Sequence, residues 1–252
     1  MYALTQKDLN YLYKINETPL IDIAFYFCTK TLDCSKLLPE DIESDFIEHS
    51  YIAGGSVWGK LTNNRSDDID FFLESQELAN RIKEYFSVTL VETIEEMDRK
   101  AQEEATNSGN PFYSSHSILR DHCTIQYTHN NNNYLVTENA VTIMTRENKF
   151  QIIYNWYGDA MGVIQNFDLY HCMVGYVKGK IQTPTYKELI FTKQMKVNKD
   201  TDLCIFGTLR RIAKYTERGL FIPQSEMTIL LKKLEKEGIT EKDRNVLEGI
   251  NY

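Results

Sequence analysis

The sequence predicts an α+β fold: a small mixed β-sheet flanked by helices, followed by a C-terminal helical lobe. Three observations predict it. Apolar residues recur at helical spacing through the first 50 positions, short strand-like runs bounded by turn residues follow up to about residue 179, and the helical period returns beyond Pro184. The expected division falls at residue 183, giving a first domain over 1 to 183 with N-terminal helices and a helical domain over 184 to 252.

Thr5 stands where it can cap TQKDLNYLYKI, and LIDIAFYFCTKTL repeats its apolar residues every three to four positions. Pro39 and the acids around it mark a loop and a new start. SDFIEHSYIAGG then runs into the apolar YIA and a sharp turn at two glycines, as the end of a strand or of a helix. DIDFFL alternates polar and apolar residues as a half-buried strand does. SQELANRIKEYF and VETIEEMDRKAQEEA are charged, helix-periodic covers for a sheet, ended by GNPF. HCTIQYTH and YLVTENAVTIM read as strands around the polar turn HNNNN, KFQIIYNWYG as another, and NFDLYHCMVGYVKG as a long apolar one. Beyond Pro184, helices are expected at YKELIFTKQM, TDLCIFGTLRRIAKYTERG, QSEMTILLKKLEKEG and EKDRNVLEGI, with Gly219 and Gly238 as stops.

Composition bounds the function. With 42% hydrophobic and 25% charged residues the chain is suited to a packed core. It contains neither a membrane-length apolar run nor the basic and apolar start of a secretory signal, so the expected compartment is the cytoplasm. Five scattered cysteines without a C-x-x-C pair suit reduced thiols. His122-Cys123 and His171-Cys172 carry four soft ligands that zinc could use, but each dipeptide sits in an apolar run that reads better as buried packing. The net charge of -8 argues against a broad DNA-binding groove. The charge is uneven: residues 184 to 252 carry 13 basic and 10 acidic side chains, so the excess of acid lies before them.

The chemistry concentrates in YIAGGSVWGKLTNNRSDDIDFFL, residues 51 to 73. Gly54 to Lys60 spells G-x-x-x-x-G-K, but Leu61 occupies the hydroxyl position that holds magnesium in a phosphate-binding P-loop, and leucine cannot ligate a metal. The other reading asks for different parts. Gly54 and Gly55 let backbone approach a ligand, Ser56 stands at a helix start where free amides attract phosphate, and Asp68 and Asp70 alternate on a strand so that both carboxylates share one face. Two such acids can share divalent ions, which suits phosphoryl transfer.

Gly-Gly-Ser, its spacer, the Arg65-Ser66-Asp67 turn and Asp-x-Asp together resemble the polymerase beta-like nucleotidyltransferase superfamily. ENAVTIMTRENKFQIIYNWYGDAMGVIQNFDLYHCMVGY is similar to a subset of it found in phages and bacteria. The resemblance covers roughly residues 50 to 176 and implies a nucleotidyltransferase core, Mg2+ or Mn2+, and transfer of a nucleoside monophosphate, AMP from ATP first, with release of pyrophosphate. It also implies a third carboxylate on a later strand. Asp121, Glu138 and Asp168 are the candidates, with Asp168 preferred because an unpaired acid beside Phe167 in an apolar run is costly unless a metal holds it. Asp68, Asp70 and Asp168 are thus the expected catalytic and metal-binding residues. Gly54, Gly55 and Ser56 are expected at the pyrophosphate, with Lys60 and Arg65 near it. In TLRRIAKYTERG, Arg211, Lys214 and Tyr215 share a helix face that could hold triphosphate and base, although a solvated basic face with Tyr215 in the core fits the same spacing. The acceptor stays open among an RNA or tRNA 3' end, a small molecule and a protein. The rival expectation is a non-catalytic nucleotide- or partner-binding protein of the same fold, such as a toxin-antitoxin component.

Overall fold

The computed structural model describes residues 2 to 11, 18 to 66, 68 to 109, 111, 114, 116 to 121 and 124 to 247. It is a mixed α+β structure. A short strand β1 (Tyr2–Ala3) precedes α1 (Gln6–Tyr11), and Thr5 caps that helix as its sequence suggests, exchanging hydrogen bonds with Asp8. Helices α2 (Leu20–Ser35) and α3 (Glu40–His49) each start directly after a proline, Pro19 and Pro39, whose fixed φ suits a helix entrance. The acids Glu40, Asp41 and Glu43 occupy the first turn of α3, at the positive end of its dipole. Next come β2 (Ser50–Ala53), α4 (Gly55–Thr62) and β3 (Ile69–Leu73). α5 (Gln76–Glu84), capped by Ser75, continues through a wide turn at Tyr85–Thr89 into α6 (Leu90–Ser108).

A meander follows. It comprises β4 (Ile118–Asp121), β5 (Thr124–His129), β6 (Asn132–Thr137), β7 (Ala140–Met144) and β8 (Lys149–Tyr157). Asn130 and Asn131 both take positive φ, 49° and 61°, and make the tight turn read in HNNNN. α7 (Ala160–Ile164), β9 (Gly175–Val177) and β10 (Lys180–Thr183) lead to α8 (Lys187–Phe191), α9 (Ile205–Glu217), α10 (Gln224–Glu237) and α11 (Glu241–Leu247).

The described strands form one sheet in the order β1-β10-β9-β2-β3-β8-β7-β6-β5-β4. Every pairing is antiparallel except β3 with β8, which is parallel and sets Asp70 opposite Gln151. The two faces of β3 part cleanly. Phe71 is fully buried on the side covered by α3, where its ring lies 5.2 Å from that of Phe46. Asp70 and Phe72 point to the other side, into an open cavity.

Several expected elements are revised. YLVTENAVTIM is two strands, β6 and β7, turning at Glu138 and Asn139. The run NFDLYHCMVGYVKG is no continuous strand: it bends at Asp168, makes a 3-10 turn at Tyr170–Cys172, and reaches the sheet only at β9. Asn198, 3% exposed, supplies the reason. Its backbone N–H donates to the Asp168 carbonyl at 2.7 Å, and its side-chain amide donates to the carbonyls of Gln165 and Phe167, so three carbonyls that a strand partner could take are taken by one distant residue. YKELIFTKQM is helical only over Lys187–Phe191, and the segment after it forms isolated bridges, Gln194 with Phe221 and Val197 with Leu169. Residues 201 to 204 are not helical, and the following helix starts only at Ile205, after Cys204 in an extended conformation.

Candidate active site

The glycine turn joins β2 to α4. Gly54 adopts φ 85° with ψ -140°, a conformation that a side chain would strain, and its N–H donates to the Val174 carbonyl at 2.9 Å. Gly55 is required for a different reason: a Cβ there would lie 2.4 Å from Tyr215 Oη. Gly55→Ala is expected to cost about 1–3 kcal/mol through this overlap, and much less in a Tyr215→Phe background, where the obstructing oxygen is gone. Denaturant melts of the two single variants and the double variant check this. Additive costs would mean that the contact is not what holds Gly55.

On the sheet side, Asp68 and Asp70 face one cavity of about 710 Å3 together with Phe72, Gln151, Ile153 and Asn155. Desolvation by burial, and after it the neighbouring Asp68 carboxylate, push the Asp70 carboxyl up to about 7, while Lys214, Arg211 and Lys149 pull the other way. Lys149 Nζ lies 3.7 Å from Asp68 Oδ2. Two close carboxylates on one strand face, one of them poorly solvated, form a donor set that fits a hard divalent cation.

The opposite wall is α9. Arg211, Lys214, Tyr215 and Arg218 recur at helical spacing and all line the cavity, so the basic face read in TLRRIAKYTERG lies over the two aspartates. α9 is held in place by Asp243 of α11, fully buried, whose carboxylate accepts from the Phe206 N–H at 3.0 Å in the first turn. Asp168 lines the cavity as well, 13% exposed, but its Oδ2 accepts from Arg211 Nη1 at 2.7 Å. Among the described residues no three His, Cys, Asp or Glu side chains are gathered closely enough to hold one ion. Asp68, Asp70 and Asp168 thus line one cavity, with Asp168 paired to Arg211.

The other candidates for that acid lie elsewhere. Asp121 is on β4 at the sheet edge, five strands from β3, roughly 24 Å at the usual strand spacing, and its side chain is outside the described residues. Glu138 is exposed and does not line the cavity, unlike its neighbours Asn139 and Ala140.

Three residues expected at the phosphates are placed off the cavity wall. The Ser56 hydroxyl is buried with no hydrogen-bond partner, and Lys60, one turn further along the same helix face, rests its Nζ 4.2 Å from the centre of the Tyr26 ring on α2. Arg65 is exposed in the loop before β3. Asp67, part of the expected turn, lies outside the described residues.

Tyr215 is part of the core rather than an open surface. It is 4% exposed, its ring centre is 4.3 Å from that of His171, and its hydroxyl accepts from Cys172 Sγ at 3.1 Å. His171-Cys172 is thus the buried packing its sequence context suggests, and His122-Cys123 lies outside the described residues. Burial pushes the His171 ring down to about 4, and both of its nitrogens lack hydrogen-bond partners. Its folded value lies below the unfolded one near 6.5, so its contribution is present above that pH and is lost as pH falls towards 4, on the order of 3 kcal/mol. His171→Leu should therefore melt less steeply with acid: the melting curves of variant and parent, plotted against pH, should diverge below about 6.5. Parallel curves would refute it.

A family described as Gad2, Gabija anti-defense 2 family protein, matches residues 20 to 195. The chain belongs to the Gad2 family. No curated protein sequence matches it. Solved structures similar to this Gad2 chain include a CCA-adding enzyme in apo form II, 12% identical over 99% of this chain and 53% of that one with a TM-score of 0.49. The Thermotoga maritima CCA-adding enzyme complexed with tRNA is 14% identical over 99% and 51%, with a TM-score of 0.46. A tRNA nucleotidyltransferase complexed with a primer tRNA and an incoming ATP analogue is 15% identical over 79% and 52%, with a TM-score of 0.41. The Gad2 chain spans about half the length of these structures. Among the described residues of this Gad2 chain, no helix is long and apolar enough to cross a membrane.

Sequence reading missed the amides and the indole of the site. Gln151, Asn155 and Trp156 all line the cavity, yet in KFQIIYNWYG they look like ordinary polar and aromatic positions of a strand. One signal was available: once β8 is paired in parallel with β3, the position opposite Asp70 is Gln151. The bracket residue Asn198 carried no signal at all.

Proposed function

We propose that this Gad2-family chain is a metal-dependent nucleotidyltransferase that moves a nucleoside monophosphate, AMP from ATP first, to an acceptor hydroxyl with release of pyrophosphate. The observation that carries this reading is the pairing of Asp68 and Asp70 on one strand face beneath the cations of α9, Arg211, Lys214 and Arg218. Acid floor and basic roof match the two things a triphosphate needs, cation ligands on one side and direct charge neutralisation on the other. Mg2+ or Mn2+ bound to the aspartates would supply charge neutralisation at the reacting phosphate and a lowered pKa for the acceptor hydroxyl. Lys214 and Arg218 would bind the triphosphate tail, and the Gly54-Gly55 turn would let it come close to backbone. Arg211 would exchange Asp168 for phosphate, which frees that carboxylate to accept the proton of the acceptor or to join the metal ligands.

An anti-defence family suits an enzyme that alters a component of the system it opposes. The acceptor is then sought among RNA or tRNA 3' ends, small molecules and proteins, with Gabija components included. Incubation with each α-labelled NTP, Mg2+ or Mn2+ and these pools should transfer label and release pyrophosphate, and Asp68→Asn or Asp70→Asn should abolish both. Equal transfer by parent and variants would refute the enzyme.

A second reading has an observation of its own. Gln151, an amide, stands opposite Asp70 on the neighbouring strand, and Asp168 is engaged by Arg211. A non-catalytic protein that holds a nucleotide or a partner would show the same two features. It would bind NTP without transferring label.

A further inference from the structure

We propose that the aromatic wall of the cavity, Trp156 with Phe72 and Phe167 behind it and Asn155 at its rim, is the subsite for the nucleobase of the incoming triphosphate. This rests on the nucleotidyltransferase reading and adds where the base goes.

Trp156 is 39% exposed although the rings it packs on, Phe72 and Phe167, are 4% and 8% exposed. Its ring centre lies 6.1 Å from that of Phe72 and 5.4 Å from that of Phe167, both edge to face, so two buried rings fix the indole while part of it stays open to the cavity. A large aromatic held this way in a concave wall is a stacking surface kept free of protein.

The backbone is shaped to put it there. Phe71 pairs with Ile152 and Leu73 with Tyr157, so two steps along β3 span five along β8. Such an irregularity re-aims the side chains it contains, and here it delivers Asn155 and Trp156 to the cavity together. Asp70 and Phe72 share the same strand face, two residues or roughly 7 Å apart. The indole is therefore about one nucleoside beyond the acids, and the cations of α9 are left to the phosphates.

Asn155 adds recognition at the edge. Its Nδ2 donates to Asn139 Oδ1 at 2.6 Å, which fixes the amide and leaves Oδ1 as an acceptor matched to an exocyclic amine. Tyr215 does not compete for the base, because it is packed against Trp58 and His171.

The test compares two ligands that cannot react, α,β-methylene-ATP and the base-free inorganic tripolyphosphate, by calorimetry with Mg2+. Trp156→Ala should weaken the nucleotide analogue roughly ten- to hundredfold and leave tripolyphosphate unchanged, which also reports an intact fold. Trp156→Phe should restore most of the lost affinity. Equal losses for both ligands, or no loss for the nucleotide, overturn the subsite alone. If the parent binds neither ligand, the nucleotidyltransferase reading falls and the subsite falls with it.

Discussion

Asp70→Asn is expected to lower nucleotide transfer by on the order of a thousandfold or more while making the metal-free protein more stable. Burial and the adjacent Asp68 carboxylate oppose ionisation of Asp70 and push it up to about 7. Its folded value thus lies above the unfolded one near 3.8, so the stability it contributes is complete below the unfolded value and lost as pH rises through 7. In the absence of metal at pH 8, the charged pair costs the fold about 2 kcal/mol, discounted for the water that reaches the cavity. Asparagine keeps the shape and removes that cost. If the proposed function holds, the same replacement removes a metal ligand next to the phosphoryl group, where single electrostatic contributions are worth about a thousandfold or more. Melting in EDTA between pH 5 and 8 should show the gap between variant and parent widening with pH, and label transfer should vanish in the more stable protein. A variant that loses both stability and activity would mean that Asp70 is a structural residue.

Trp58→Ala is expected to cost about 4 kcal/mol and to lower the melting temperature by about 10 °C. Trp58 is 2% exposed and sits on α4, three residues after the glycine turn. Its indole N–H donates to the Ile190 carbonyl at 3.0 Å, and its ring meets His171 and Tyr215 edge to face at 5.2 and 5.3 Å. It therefore ties the first motif to α8, to the 3-10 turn and to α9 at once. Trp58→Phe keeps most of the apolar volume but leaves the Ile190 carbonyl without its donor, and should cost roughly 1–3 kcal/mol. Thermal melts of the two variants separate packing from hydrogen bonding. Similar losses in both would assign the effect to the indole N–H alone.

The sequence was most readable where local rules decide structure. Thr5 caps α1, Ser75 caps α5, Asn130 and Asn131 make the hairpin turn, and DIDFFL becomes β3 with its acids on one face, because caps, turns and period-two alternation act over a few residues. It was least readable between Asn166 and Val177, where continuous apolar residues look like a strand. Asn198, some thirty positions later, takes the carbonyls there. The site divides along the same line. Asp68, Asp70 and the glycines are recognisable as a local motif. The capture of Asp168 by Arg211, the diversion of Lys60 to Tyr26 and the arrival of Trp156 in the cavity depend on which elements meet, and spacing along the chain does not encode that.

The single parallel pairing of the sheet sets an order of assembly during synthesis. Hairpins such as β5 with β6 can close as soon as both strands leave the ribosome, but Asp70 meets Gln151 only after the whole meander between them has emerged. Nor can α9 close over them until it has been made in its turn. A nascent chain of this protein therefore carries the strand of Asp68 and Asp70 long before it carries the cavity that the strand faces.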